Sequence, residues 1–294
     1  MTTSMKPEIR KEKFKGGLQR QFEIISSISD LYNKHKSLMT NPHRPEFYHV
    51  IWIQKGYPTH FVDFKPVKLK PGSLLFVPKD CVNIFDDSGE YNGKMILFTD
   101  QFFCRNTGDL MFLQRTILYN NFFNISQFQI DEETNSFSDI FRLMEAEGNN
   151  PNDTFQDEIL RNLLHNFLLL SEREIRKQGF TGIDSNPYTE CLISFRRLLE
   201  ENFKNFKSVS KYASKLKITS KTLYNATTQM LDKTPKQLID DRILVESKRL
   251  LVHTTATIKE IGFELGFIEP TNFIKFFHKH ERITPIDFRE NFKR

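Results

Sequence analysis

Residues 257–289 read TIKEIGFELGFIEPTNFIKFFHKHERITPIDFR, and the order of apolar, small and breaker residues in this stretch decides how the last third of the chain folds. Thr257 is placed to cap a helix in which Ile258, Ile261 and Leu265 follow the spacing of one buried face. Gly262 lies on that face and lets a second helix approach. Gly266 comes next to Leu265, where helices commonly stop in a left-handed residue, and Phe267 turns back toward the core. Glu269 and Pro270 open the following helix, because proline in a first turn forfeits no intrahelical bond. Phe273, Phe276 and Phe277 form its buried stripe and leave Thr271, Asn272, Lys275, His278 and Lys279 facing out. This is the pattern of a helix-turn-helix.

The same unit is written once more upstream. Val209, Tyr212, Ala213, Leu216 and Ile218 recur 49 positions later as Ile258, Ile261, Gly262, Leu265 and Phe267, while Leu223, Pro235 and Leu238 recur 50 later as Phe273, Pro285 and Phe288. Two copies are too few for a solenoid, so a duplicated supersecondary unit is expected. The first copy runs over 208–231, turns at Lys217, Ile218 and Thr219, and opens its second helix at Ser220. Its outward residues are Lys221, Tyr224, Asn225 and Thr228. Lys217 stands where the second copy has Gly266, so a left-handed backbone there would cost on the order of 1 kcal/mol unless the turn differs. Between the copies, residues 235–252 read as a helix with one apolar flank: Leu238, Ile239, Ile243, Leu244, Leu250 and Leu251. Eighteen residues span about 27 Å at 1.5 Å each, which suits two heads entering successive major grooves about 34 Å apart.

The outward side chains fit a helix lying in such a groove: Asn pairs with adenine, Lys reaches guanine or phosphate, and Thr meets a thymine methyl. An ordinary solvated face is the competing reading for either helix alone, and for Tyr224 it is packing on its own helix. Charge favours nucleic acid. Residues 189–294 hold 20 Lys and Arg against 13 Asp and Glu, a net of +7, while residues 1–188 hold 22 against 24, a net of −2. The His278-Lys279-His280 run suits phosphate better than metal.

With its Ile-x-x-Ile-Gly pair, Gly-Phe turn, Phe-x-x-x-Phe helix and Thr-Pro-x-x-Phe-Arg close, the 257–289 segment resembles the DNA-binding domain of the arabinose-regulator (AraC/XylS) family of bacterial transcription factors. The resemblance covers the last ninety to one hundred residues of the chain. It implies base contacts from Lys221, Tyr224 and Asn225 in the first head and from Thr271, Asn272 and Lys275 in the second, with more of the sequence-specific work in the first. The chain departs from the family at Asp232 and Arg282, where glycine is usual, and at Thr227, where an aromatic is usual and whose absence removes core from the first head.

Upstream, residues 47–98 are rich in β-formers punctuated by Lys55-Gly56, Pro71-Gly72, Pro78 and Asn92-Gly93, which predicts antiparallel strands joined by tight connections and closing into a small barrel or sandwich. Leu69 to Pro78, LKPGSLLFVP, resembles the cupin-like sensor domain that precedes the DNA-binding domain in many members of the same family. His43, His49 and His60 raise a metal reading, but a metal site wants convergent ligands. The strands contain no His-x-His pair, and Asn83 stands where related chains often place a histidine. His49 is expected in a strand at a barrel rim or mouth. Tyr48 and Trp52 are candidates for a ligand pocket or for plain core. Residues 100–178 read as helices, marked by Leu110, Phe112, Leu113 and Ile117, by Phe137, Ile140, Phe141 and Met144, and by a long apolar helix over 154–177 carrying Ile159, Leu160, Leu163, Leu164, Phe167 and Leu168. Its apolar residues wrap more than one face. The family resemblance implies a dimer contact there; burial of both faces within one subunit is the alternative.

Gly179 to Pro187 reads as a linker. Residues 1–20 are Lys-rich without the apolar core of a signal peptide, and no run is long enough to cross a membrane. Cys81, Cys104 and Cys191 are too widely spaced for a metal or disulfide pattern and suit a reducing cytoplasm. Phosphate loops, nucleophile elbows and His-Glu-x-x-His helices are absent from the sequence. The expected architecture is α+β: a cupin-like antiparallel barrel with a helical dimerisation segment over 1–178, a linker over 179–188, and an all-α domain with two helix-turn-helix units and a joining helix over 189–294. The expected function is cytoplasmic, non-enzymatic, sequence-specific transcriptional regulation. Its partners are double-stranded DNA, a small effector in the barrel and a second copy of the chain, with no membrane, metal or cofactor. A metal-dependent cupin enzyme and a helical adaptor without DNA remain as rival readings.

Overall fold

Every residue from Tyr48 to Ile53 is buried although the strand alternates its side chains, because both faces of the sheet it runs through are covered. The computed structural model describes residues 11–12, 21–119, 125–130, 135–151, 153–178 and 188–292. The chain divides into two compact units, Lys11–Gly182 and Ile183–Arg294. The stretch read as a linker, 179–187, and the Lys-rich residues 1–10 and 13–20 lie outside the described residues.

The first unit contains, in chain order, β1 (Lys11–Glu12), β2 (Phe22–Ile25), α1 (Ile28–Thr40), β3 (Arg44–Pro45), β4 (Tyr48–Lys55), β5 (Thr59–Val62), β6 (Lys65–Lys68), β7 (Ser73–Val77), β8 (Asn83–Ile84), β9 (Asn92–Phe98), α2 (Asp100–Phe103), α3 (Thr107–Arg115), β10 (Gln127–Gln129), α4 (Asn135–Asn149) and α5 (Gln156–Lys177). An antiparallel five-stranded sheet runs β10-β7-β4-β9-β2, and an antiparallel three-stranded sheet runs β6-β5-β8. The core between them gathers Ile51, Ile53, Leu75, Val77, Met95 and Leu97 of the large sheet with Val62 and Val67 of the small one, and Ile28, Tyr32 and Met39 of α1 close it. This is the cupin-like, barrel-type half of an α+β chain. The other face of the large sheet is covered by aromatics: Trp52 meets Phe141 of α4 edge-on, Phe76 stacks on Phe128, and Phe137 meets Phe167 of α5. Tyr48 stacks on Phe98 and its hydroxyl donates to Asp100 Oδ1 at 2.9 Å. Both Tyr48 and Trp52 are therefore core residues under the helices, and neither lines the space between the sheets.

Several expectations need correction. Asn92-Gly93 is no turn: it begins β9, and Gly93 lies opposite Ile53 where the register with β4 shifts. Ile117 lies beyond the end of α3 rather than in a helix, although it is buried. The strands β2 and β10 and the helix α1 went unread, the first and last because the amino-terminal segment is so polar. On α5 the buried face is Leu160, Leu164, Phe167, Leu168 and Ile175, while Ile159 and Leu169 are exposed, so this unit by itself does not bury the helix on two sides.

The second unit is all helical: α6 (Thr189–Asn202), α7 (Val209–Lys215), α8 (Ser220–Leu231), α9 (Pro235–His253), α10 (Ile258–Glu264), α11 (Pro270–Glu281) and α12 (Pro285–Asn291). Thr219, Thr234, Thr257 and Thr284 each cap a helix through a side chain that accepts a backbone N–H, a contribution of about 1 kcal/mol apiece. The joining helix α9 does more than present an apolar flank. Besides Leu238, Ile239, Ile243, Leu250 and Leu251 it buries Asp240, Glu246 and Arg249, because helices pack on it from more than one side.

Candidate nucleic-acid interface

The second head forms as its residues dictate. Thr257 Oγ1 accepts from the Glu260 N–H at 3.2 Å, and Glu260 Oε2 accepts from the Thr257 N–H at 2.7 Å, closing a capping box. These bonds hold the Glu260 carboxyl below its usual range. At the other end of α10, the Phe267 N–H donates to the Gly262 carbonyl at 3.0 Å and the Gly266 N–H to the Phe263 carbonyl at 2.9 Å, with Gly266 left-handed at φ +79°. A Cβ on Gly262 would stand 3.2 Å from the Phe273 Cβ, so the small residue sets how closely α10 meets α11. Phe273 and Phe277 are fully buried, and Phe276 lies on Phe267 at 5.4 Å.

The first head repeats this geometry with different residues. The Ile218 N–H donates to the Ala213 carbonyl at 3.0 Å and the Lys217 N–H to the Ser214 carbonyl at 3.1 Å. Lys217 takes the left-handed conformation, φ +56°, so the turn keeps its shape and bears the side-chain strain. Asp232 and Arg282, the non-glycine residues closing α8 and α11, are left-handed as well. Thr227 is fully buried, and its hydroxyl donates to the Tyr224 carbonyl at 3.2 Å.

On α11, Thr271, Asn272, Lys275, His278 and Lys279 are all exposed, as are Lys221 and Tyr224 on α8. Asn225 and Thr228 are half-buried, and the Thr228 hydroxyl donates to the Tyr224 carbonyl at 2.8 Å, so its polar atom serves its own helix first. No carboxylate among the described residues pairs with Lys221, Lys275 or Lys279. His280 parts company with its neighbours: its ring packs tilted against Phe276 at 4.7 Å with Nε2 4.0 Å from Asp240, so it belongs to the packing rather than to the outer face.

Sequence reasoning missed what ties the heads together. Arg242 of α9 bonds Glu200 of α6 at 2.8 Å and lies 3.9 Å over the Phe203 ring, while Arg242 and Arg249 converge on the buried Glu246 at 3.1 and 3.3 Å. Lys248 reaches Glu281 of α11 at 2.7 Å, and Arg289 of α12 donates to the Leu251 and Ala256 carbonyls at 2.9 and 2.7 Å. Lys207, in the loop before α7, donates to the Phe203 and Lys204 carbonyls at 2.8 and 3.0 Å and to the carbonyl of Leu265, which follows α10, with its ammonium 5.3 Å over Phe267. Burial, helped by the Lys236 and Lys204 charges, pulls that ammonium down to about 8. Gly266 packs so tightly on Lys204 that an added Cβ would overlap the Lys204 carbonyl oxygen. A contact between loops of opposite heads leaves no periodic trace, so no sequence signal marked Lys207.

Family models meet the chain in both units. Residues 32–164 match an AraC-like ligand binding domain, and residues 212–291 match a helix-turn-helix domain. The chain belongs to the AraC/XylS-type family of bacterial transcriptional regulators. It is thus a helix-turn-helix, DNA-binding transcriptional regulator. Relatives of this AraC-type chain include the HTH-type transcriptional activator RhaS of Shigella boydii serotype 18, 19% identical over 84% of this chain and 87% of that protein. Another is the lactose operon transcription activator of Staphylococcus xylosus, 23% identical over 55% of this chain and 58% of that protein. Among solved structures, unsaturated fatty acid bound ToxT from Vibrio cholerae is 14% identical over 91% of this chain and 94% of that one, with a TM-score of 0.46.

The AraC-like ligand binding domain has a polar interior that the sequence showed only in part. His43, His49, His60 and Asn83 are all buried; His60 Nε2 lies 3.1 Å from Asn83 Oδ1, and the Phe85 ring packs edge-on against His60 at 4.5 Å. His49 is fully enclosed in β4 rather than at a mouth. Burial lowers His60 to about 4 against an upward pull from the Asn83 hydrogen bond, with a smaller downward push from the nearby His43; burial with His43 and His60 holds His49 well below its usual range. His49 Nδ1 and Asn83 Nδ2 find no hydrogen-bond partner among the described residues. Nowhere among those residues do three His, Cys, Asp or Glu side chains gather so as to hold a metal ion. No helix is long and apolar enough to cross a membrane, and the three cysteines are free.

Proposed function

We propose that this regulator grips two adjacent major-groove segments of one duplex through α8 and α11, acting in the cytoplasm as a homodimer and as a binding protein rather than an enzyme. The observation that carries this is the shared turn geometry of the heads, each of which sets exposed, unpaired donors on its second helix. At 19 residues, α9 spans about 28 Å, close to the rise between successive grooves once helix widths are added. Lys221, Tyr224, Asn225 and Thr228 read one segment; Thr271, Asn272 and Lys275 read the next, with His278 and Lys279 on the phosphates. The barrel over 1–178 takes a small effector, for which His49 Nδ1 and Asn83 Nδ2 are the polar anchors, and residues 179–188 carry its influence to 189–294. The exposed Leu143, Ile159 and Leu169 of α4 and α5 supply the dimer contact.

Selection from random duplexes tests the reading. A bipartite site with half-sites about one helical turn apart is expected, bound less tightly as salt rises. Lys221→Ala and Asn272→Ala should each relax base preference, in separate half-sites, by roughly 1 to 3 kcal/mol. No enriched sequence, or unchanged preference in both variants, would remove the assignment. Leu169→Glu should dissociate the dimer in sedimentation while leaving each barrel folded.

A further inference from the structure

Resting on that reading of α11, we infer that Ile274 is a base-reading residue of the second head and that it recognises the C5 methyl of a thymine. Ile274 stands fifty residues after Tyr224, the offset that relates Leu223 to Phe273 and Pro235 to Pro285. The two heads therefore expose a large apolar side chain at the same place on their second helices: Tyr224 is 50% exposed and Ile274 39%. The core has no use for Ile274, because Phe273 and Phe277 fill the buried stripe and Phe276 packs on Phe267 and His280. Isoleucine also forms helix less readily than a straight-chain residue, so neither packing nor propensity accounts for it.

Its neighbours fix its task. Thr271, Lys275 and His278 lie three, one and four positions away on the same exposed side of α11, so an aliphatic group sits among hydrogen-bond donors. In a major groove the apolar feature offered to such a side chain is the thymine methyl, and the flanking donors fix the register in which the two meet. Ile274 then separates thymine from cytosine by contact, while Asn272 and Lys275 separate purines by hydrogen bonds.

The selected duplex, with each thymine of the second half-site replaced in turn by uracil, tests this, since uracil keeps every hydrogen-bonding edge and lacks only the methyl. One position should weaken the wild-type protein by about four-fold, the effect of one buried methyl. Ile274→Ser should bind the thymine and uracil duplexes equally, and Ile274→Val should keep part of the difference, with salt dependence and thermal midpoint unchanged in both. A wild-type protein indifferent to uracil throughout that half-site overturns the inference, as does Ile274→Ser retaining the discrimination. Either result with the bipartite site intact leaves the groove-reading proposal standing, whereas loss of any selected site would sink that proposal first.

Discussion

Between the sheets of the barrel the buried polar side chains are His43, His49, His60 and Asn83, whereas the helical unit buries Asp240, Glu246 and Arg249 with opposite charges beside them. His49 and His60 are kept neutral by enclosure. Glu246 faces two guanidinium groups, those of Arg242 and Arg249. A neutral imidazole costs little to enclose but becomes expensive once protonated, while a buried ion pair is expensive only when one partner is taken away. The barrel is thereby a structure that acid can loosen, and the helical unit one in which charge pairs help to hold the heads in fixed relation.

The largest test of this contrast is Glu246→Ala. Arg249, 4% exposed, would lose a buried carboxylate partner, and Arg242 would lose one of its two. The helical unit should lose about 3 to 5 kcal/mol, read as a lower urea midpoint, with the barrel transition unmoved. A loss below 1 kcal/mol would mean that the network is ornamental and that α9 is held by its apolar residues alone.

Acid should act on the other unit. His60 titrates near 4 in the fold and near 6.5 when unfolded, so its contribution is complete above pH 6.5 and disappears as pH falls toward 4. The loss should approach 3 kcal/mol, on the order of 1.4 kcal/mol per unit of displacement. Urea melts of the barrel at pH 7, 5.5 and 4.5 should show it, and His60→Gln should flatten the dependence. An equal acid loss in the variant would place the sensitivity elsewhere.

The same contrast explains what could be read in advance. A helix writes its buried face into neighbouring residues, so Ile258, Ile261 and Leu265, the Gly266 turn and the proline-opened α11 were legible, and duplication allowed the two heads to confirm each other. The outward residues of α8 and α11 followed by subtraction. A sheet instead takes its partners from far along the chain: β10 pairs with β7 across some fifty residues, and three residues of QFQ carry no pattern of their own. Asn92-Gly93 has the composition of a turn, yet pairing with β4 makes it strand. The inward convergence of His43, His49 and His60 is likewise a property of strand order. Within the helical unit the same limit applied to Lys207, whose contacts with Leu265 and Phe267 lie some sixty residues along the chain. Ile274 belongs to neither the phenylalanine stripe nor the polar outward set read on α11, although the fifty-residue repeat relates it to Tyr224.

Gly266→Ala brings the comparison down to the two heads. The substitution places a Cβ against the Lys204 carbonyl on a left-handed backbone, so the second head should lose roughly 2 to 3 kcal/mol and its half-site should drop out of the selected operator, with the first half-site retained. If both half-sites are lost together, the heads fold as a single piece and the Lys204–Lys207 contact is what makes them so.

The smallest effect belongs to the reciprocal change, Lys217→Gly. Lys217 is exposed and holds φ +56° because the Ala213 and Ser214 carbonyls need the two donors that follow α7. Glycine removes a strain of about 1 to 2 kcal/mol, and the greater freedom of the unfolded chain returns roughly 0.5 to 1 kcal/mol of it. A net gain of about 0.5 to 1 kcal/mol is therefore expected, with the urea slope unchanged. Since the turn already has its final shape, half-site preference should not move. A stabilised protein with altered preference would show instead that strain at Lys217 tilts α8 in its groove, and the two heads, alike in hydrogen bonding, would then differ in how they are aimed.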